Sequence, residues 1–342
     1  MDSGLKFGVF DHMDRGADNV AAFFENRLKL IERYDEVGIR TYHVAEHHAT
    51  PLGMASSPSV FLSAVAQRTK HLRFGPLVYC LPLYHPVRLL EEICMLDQMS
   101  NGRFELGVGK GISPIEHGFF DSNYDEGSAV YREALELILT GLANDRLTYE
   151  GDRFQVKDMP MRIRPVQQPH PPLWYGLHTP KSVAWPAENR VNVVTNTPVH
   201  IAREITDGYR EVYEAAGHPM SELPLLGMTR YLVIGNTEEE ALAAARRAYP
   251  KWRDSFMKLW VENNRDPIGV SYPETFDGVI ESGQGFAGTP DQVGAAIQEQ
   301  CEGAGVNYFI GRFAFGDLSL EESLRSVNLF AEHIMPSLRQ AA

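Results

Sequence analysis

Glu46, His47 and His48 stand in a row directly after Thr41-Tyr42-His43-Val44-Ala45, a short apolar and β-branched run. Such a run reads as a buried strand, and the stretch that follows, with Thr50, Pro51, Gly53, Ser56 and Ser57, reads as a loop. A carboxylate and two imidazoles thus sit at the C-terminal end of a strand. Imidazole titrates near neutrality and is the natural general acid or base, and a neighbouring carboxylate, here Glu46, can fix its tautomer. Other candidates share this placement: Tyr79 and Cys80 after a third strand, Gly109, Lys110 and Gly111 after a fourth, and His178 and Thr179 after a fifth. The GxGxG spacing from Gly107 to Gly111 lets backbone approach a ligand closely, and Lys110 offers a cation for a phosphate. Thr179 and Ser182 flank the start of a short helix whose free N–H groups would accept an anion, although an ordinary N-cap needs the same residue types. A metal site built from Glu46, His47, His48 and His117 is disfavoured, because adjacent histidines point apart and no HExxH or HxxxH helix exists.

The elements that must position these groups alternate. Strands are predicted at 6–10, 41–45, 72–79, 104–108, 173–175, 191–194, 225–234 and 308–310. Helices are predicted between them at 20–37, 58–69, 86–99, 128–142, 181–189, 201–216, 238–249 and 290–302, with a terminal helix at 320–335 capped by Ser319. One surface hairpin, 147–149 with 154–156, turns at Gly151-Asp152. Eight strand–helix units with no other consecutive strands favour a closed α/β barrel, (β/α)8, over an open sheet, and the GxGxxG dinucleotide fingerprint after a first strand is missing. From Pro250 the rhythm breaks: Trp252, Phe256 and Trp260 keep helical spacing, but Asn, Pro and Gly then dominate to Gly288. A connection that long inside a compact domain reads as a lid, here over 255–288.

Composition narrows the class of partner. The chain has 342 residues, 44% of them hydrophobic, and a net charge of −13, so a packed core is available and a phosphate backbone is an improbable partner. Cys80, Cys94 and Cys301 are odd in number and widely spaced, which suits a reducing cytoplasm rather than a disulfide framework. No basic stretch with a long apolar run follows Met1 and no 18-residue apolar segment occurs, so neither targeting nor membrane anchoring is expected.

Several motifs carry a resemblance. Lys6-Phe7-Gly8-Val9-Phe10, Glu46-His47-His48, Leu81-Pro82-Leu83-Tyr84-His85-Pro86-Val87-Arg88, Leu96-Asp97-Gln98-Met99-Ser100-Asn101-Gly102-Arg103, Phe286-Ala287-Gly288-Thr289-Pro290-Asp291-Gln292-Val293 and Phe330-Ala331-Glu332-His333-Ile334-Met335-Pro336 resemble the bacterial luciferase-like flavin monooxygenases nearly end to end. The resemblance implies a single TIM-barrel domain over 1–342 with an insertion after strand seven at about 250–288. It also implies reduced FMN at the barrel mouth and insertion of one atom of O2 into an organic substrate. His47 matches the family's active-site histidine, with Glu46 beside it; Lys110, Arg132, Thr179 and Ser182 match positions that hold the flavin phosphate. Leu77-Val78 matches the family's non-prolyl cis peptide beneath the flavin ring. Bacterial luciferase has an arginine and a Glu-Ser pair where this sequence has Lys110 and His178-Thr179, and a reactive cysteine where it has Gly109.

Because no second nucleotide fold is present to bind a nicotinamide cofactor, an external flavin reductase is the expected partner, in a homodimeric oxygenase acting on a small apolar molecule. Two other readings remain open at the level of sequence: a dehydrogenase of the same barrel that uses a deazaflavin coenzyme, and a non-catalytic flavin-binding protein.

Overall fold

The computed structural model describes residues 4–16, 19–269 and 271–340; Met1 and residue 270 of the expected lid lie outside the described residues. The first half of the chain follows the predicted alternation closely: β1 (Lys6–Asp11), α1 (Val20–Glu36), β2 (Thr41–Val44), α2 (Pro58–Arg68), β3 (Arg73–Pro76), β4 (Tyr79–Cys80), α3 (Pro86–Met99) and β5 (Leu106–Gly109). The strand expected over 72–79 is in fact two pieces, β3 and β4, separated by Leu77–Val78, whose peptide bond is cis.

After β5 come α4 (Pro114–Phe119), α5 (Gly127–Ala143), the hairpin β6 (Arg146–Glu150) and β7 (Gln155–Pro160), β8 (Leu173–Gly176), α6 (Ala184–Glu188), β9 (Asn192–Thr195), α7 (Val199–Ala215) and β10 (Leu226–Ile234). The loop expected after Gly109 therefore holds an unforeseen helix, α4, whose N-cap Ser113 accepts from the Glu116 backbone N–H at 3.2 Å. The helix expected over 181–189 is split into a 3-10 turn, Pro180–Ser182, and α6.

All barrel strands are parallel, in the order β3-β2-β1-β12-β10-β9-β8-β5-β4, where β12 is Tyr308–Arg312. The ring closes where the Phe74 N–H donates to the Arg103 carbonyl at 3.1 Å and the Glu105 N–H donates to the Phe74 carbonyl at 2.8 Å. Below the mouth, the barrel interior is filled rather than open. Glu105 lies fully buried, where its carboxylate accepts from Arg40 at 2.9 Å, Arg73 at 2.6 Å and the Trp174 indole at 2.6 Å. A buried carboxylate is tolerable only with such a set of cationic donors.

The predicted break at Pro250 is corrected most strongly. Helix α8 runs Glu238–Glu262, straight through Pro250. An interior proline costs roughly 3 kcal/mol. Beyond it, Trp252, Phe256 and Leu259 are buried, and burying such side chains contributes about 1.5–3 kcal/mol each, so the helix continues. Their partners include Tyr231 and Tyr272. The rest of the expected lid is also largely structured, with α9 (Phe276–Glu281) and a strand, β11 (Gly285–Gly288). β11 pairs with the C-terminal half of β10, Tyr231 to Ile234, while β12 pairs with Gly227 to Tyr231. Gly-Phe-Ala-Gly lacks the β-branched signature of a strand, which is why it reads as loop. The chain ends with α10 (Pro290–Ala304), β12, α11 (Leu320–Leu329), a π-helical stretch (Phe330–Ile334) and α12 (Met335–Gln340). Among the described residues no helix is long and apolar enough to cross a membrane.

Candidate active site

At the C-terminal ends of the strands lies a cavity of about 290 Å³, near the lower limit of small-ligand pockets, roughly 300 Å³. One side is apolar and follows β4, β5, β8 and β9: Leu77, Val78, Val108, Gly109, Tyr175, Gly176 and Val194 line it. The other side follows β1, β10 and β12 and is lined by Phe10, His12, Thr229, Tyr272 and Arg312. Of the residues singled out in the sequence, Glu46, His47, Leu77, Val78, Gly109, Lys110 and His178 all border this one cavity. Arg132, Thr179 and Ser182 do not line it. Arg132 is exposed on α5, and Thr179 caps the 3-10 turn, accepting from the Lys181 N–H at 3.4 Å, with Ser182 exposed at the end of that turn.

The carboxylate bonded to His47 differs from the one expected. His47 Nδ1 faces the Glu116 carboxylate at 3.2 Å, so the carboxylate that orients it comes from α4, not from its neighbour Glu46. A carboxylate accepts only, so Nδ1 carries a proton and Nε2 is the nitrogen left for a reacting group. Glu116 also accepts from the His48 backbone N–H at 2.7 Å, which ties the two loops together. Burial pushes the Glu116 pKa up, but the His47 imidazole and the hydrogen bonds from His47 and His48 outweigh it and hold the carboxyl below its ordinary value. Glu46, by contrast, is structural in its contacts. It accepts from His48 Nε2 at 2.8 Å and from the Cys80 backbone N–H at 3.0 Å, and none of its bonds is to His47. The Ser113-to-Glu116 spacing is a helix-start signal, passed over where a loop was expected after Gly109.

Other candidates from the sequence are also reassigned. His117 is occupied at both ring nitrogens, by Ser122 Oγ at 3.0 Å and the Lys110 carbonyl at 2.9 Å. Tyr79 pairs with Ser59 Oγ at 2.7 Å, and burial pushes the Cys80 thiol well above its usual range, so it is no nucleophile. No cluster of three or more His, Cys, Asp or Glu suited to a metal exists among the described residues. The Lys110 ammonium lies 3.6 Å from the centre of the Tyr124 ring, at the rim. Gly109 is required by space: a Cβ there would stand 2.5 Å from Val78 Cγ2.

Two groups escaped the sequence reading altogether. His12 is buried with its ring stacked on His47, centroids 5.9 Å apart, and burial, then Arg312 and His47, hold it well below its ordinary pKa and hence neutral. Arg312 ends β12 and donates from Nε to Thr229 Oγ1 at 3.1 Å. Both follow strands one and eight, and a lone His or Arg carries no local motif. A larger groove of about 550 Å³ lies between α8 and α11, but its charges answer one another, with Arg247 paired to Asp317 and Glu322 and Arg325 to Glu240.

Comparison with known proteins agrees with this fold. The model of the family described as luciferase-like monooxygenase matches residues 5–308. The chain belongs to the luciferase-like monooxygenase family. An uncharacterised protein of Sinorhizobium fredii is 40% identical over 97% of each chain. The oxygenase component of the flavin-dependent trigonelline monooxygenase of Acinetobacter baylyi is 26% identical, covering 77% of this chain and 73% of that one. Among solved structures, the monooxygenase RslO1 of Streptomyces bottropensis superposes with a TM-score of 0.87 at 27% identity, covering 97% of this chain and 99% of its own. At 18% identity the fold is shared with the FMN complex of the oxygenating constituent of 3,6-diketocamphane monooxygenase from Pseudomonas putida (TM-score 0.81, covering 97% and 98%). It is equally shared with the coenzyme F420-dependent tetrahydromethanopterin reductase of Methanopyrus kandleri (TM-score 0.74, covering 98% and 99%).

Proposed function

We propose that this chain is the oxygenase of a two-component, FMN-dependent monooxygenase, drawing reduced FMN from a separate cytoplasmic reductase and oxidising a small organic substrate with O2. The observation that carries the reading is the His47–Glu116 pair opening onto a cavity whose other wall is apolar and glycine-lined. That wall fits a flat ring system. Gly176 has nothing within 4 Å of where a Cβ would stand, and Leu77, Val78 and Gly109 give a floor without projecting polar groups. Lys110 at the rim, with Arg132, Thr179 and Ser182 farther out, would take the phosphate, and His178 the approach between. Reduced FMN, when bound, supplies the electrons that activate O2. The protein's part is to hold the ring against Leu77–Val78, to exclude water beneath Tyr272, and to move a proton at His47 Nε2. His12, stacked on His47 and kept neutral, adds no competing charge beside that imidazole.

The relatives support this reading, since the trigonelline enzyme is named as the oxygenase component of a flavin-dependent monooxygenase. Fluorescence titration with FMN and with a deazaflavin coenzyme, followed by the rate at which reduced FMN reoxidises in air with and without the chain, tests it. Binding of FMN and a reoxidation course that the chain changes from that of free reduced FMN are expected. Binding of the deazaflavin alone, with reduced FMN reoxidising as it does free in solution, would replace the proposal with a dehydrogenase; FMN binding with the free reoxidation course unchanged would leave a flavin carrier.

The same reading includes a homodimer. Val60 on α2 is 70% exposed, and Met95 and Met99 on the adjoining α3 are exposed as well, so an apolar strip is available for a second copy. Light scattering on a sizing column should give twice the chain mass of 38.4 kDa, and Val60→Glu should shift it to monomer.

A further inference from the structure

The wall opposite the proposed flavin wall contains a cation with unused capacity. Arg312 is only 5% exposed, borders the cavity, and is held in one orientation. Its guanidinium carbon lies 4.9 Å from the Phe10 ring centre and 4.6 Å from that of Tyr231, while Nε donates to Thr229. Nη1 is buried with no hydrogen-bond partner among the described residues. The phenols of Tyr231 and Tyr272 are its polar neighbours. Burial holds the Tyr231 phenol well above its ordinary pKa and hence uncharged, and no carboxylate is ion-paired with Arg312 among the described residues. The other buried arginines are answered differently. Arg27 faces Asp11 at 3.5 Å, and Arg230 spends its nitrogens on Gln300, Thr229 and Thr197.

A buried cation without a counter-charge is costly unless something completes it, and a guanidinium offers a planar fork that matches a carboxylate. We propose that Arg312 anchors a carboxylate on the substrate, so that the enzyme acts on small organic acids with an apolar body. The acid group would lie between β12 and β10, at Arg312. Its apolar remainder would lie along Phe10 and Tyr272, toward His47 and the flavin wall. The inference rests on the proposed function only in assigning the opposite wall to the flavin. It replaces the wholly apolar substrate expected from the sequence.

Calorimetric titration of the full chain, with and without FMN, tests this using benzoate, cinnamate and cyclohexanecarboxylate, each against its primary amide near neutral pH. At least one acid is expected to bind about 10–100-fold more tightly than its amide, the range for a hydrogen bond to a charged group. Arg312→Gln should erase that preference while changing FMN affinity less than about twofold; Arg312→Lys, which keeps the charge but loses the fork, should retain part of it. If the glutamine variant does not fold, the wild-type preference and the lysine variant decide. The proposal is overturned if no acid outbinds its amide in the wild type or if Arg312→Gln keeps the preference. It is also overturned if that variant loses turnover with the preference intact, since Arg312 would then serve the reaction rather than the acid. An acid preference without FMN binding would sink the proposed function and leave this site standing.

Discussion

At the scale of single residues, the proposed proton chemistry rests on His47 Nε2 and on whatever keeps Nδ1 protonated. Glu116 does that from 69 positions away in the sequence. His47→Ala should lower turnover about 10²–10⁴-fold with FMN affinity nearly unchanged, because the imidazole touches the reacting region and not the phosphate. Glu116→Gln keeps the shape but frees the tautomer, and should lower turnover by roughly 10–100-fold while thermal stability drops little. Equal losses of FMN binding and rate in either variant would make the pair structural. The histidine was legible because a strand end marks it. The glutamate was not, because the hydrogen bond joins the loop after β2 to α4, which only the closed barrel brings together. Glu46, adjacent in sequence, is nearer along the chain but is spent on His48 and the Cys80 amide.

At the scale of elements, the alternation of strands and helices was readable almost throughout, since buried parallel strands are short apolar runs between helical periods. It failed where side-chain burial overrode a local rule. Pro250 argues for a helix end, yet the aromatic residues after it argue harder, and α8 carries on to Glu262. Removing 255–288 would therefore take away Phe256, Leu259, Trp260, α9 and β11, and with β11 the partner of half of β10. That deletion should give an unfolded or insoluble chain, as circular dichroism would show, rather than an open barrel. What can still act as a roof is the short connection around Tyr272, which borders the cavity and receives a hydrogen bond from Asn196 Nδ2 at 3.2 Å. Tyr272→Ala should leave folding and FMN binding intact and divert O2 from product to hydrogen peroxide. Unchanged coupling of flavin oxidation to product would remove Tyr272 from that role.

At the scale of the whole molecule, buried titratable groups set an opposed pair of pH dependences. His43 is buried against Trp174 and Tyr308, and burial, the largest cause, holds its pKa at about 4 instead of 6.5. As pH falls from 6.5 to 4, the unfolded chain takes up a proton that folded His43 refuses, and stability falls by up to ~1.4 kcal/mol per pH unit. Asp14 acts in reverse. Burial raises its carboxyl from 3.8 to about 7, so the folded state keeps a proton that the unfolded chain releases, and stability falls as pH rises across that range. The two oppose each other, and His12, also held below its ordinary pKa by burial, adds to the His43 side. Relative to the wild type, the melting temperature of Asp14→Asn should rise more steeply with pH from about 4 to 6.5, and that of His43→Asn less steeply. Parallel curves for both variants and the wild type would mean that neither group titrates as its burial demands.

Trp252 sits where these scales meet. Its ring lies 5.3 Å from that of His12 and 4.9 Å from that of Tyr272, both of which line the cavity, and its indole N–H has no hydrogen-bond partner among the described residues. Indole emission depends on polarity and on nearby rings, and the chain has only four tryptophans. The barrel thus carries a native optical reporter packed behind two residues of its cavity wall, which lets the arrival of flavin or acid be timed in a stopped-flow mixer without attaching a dye.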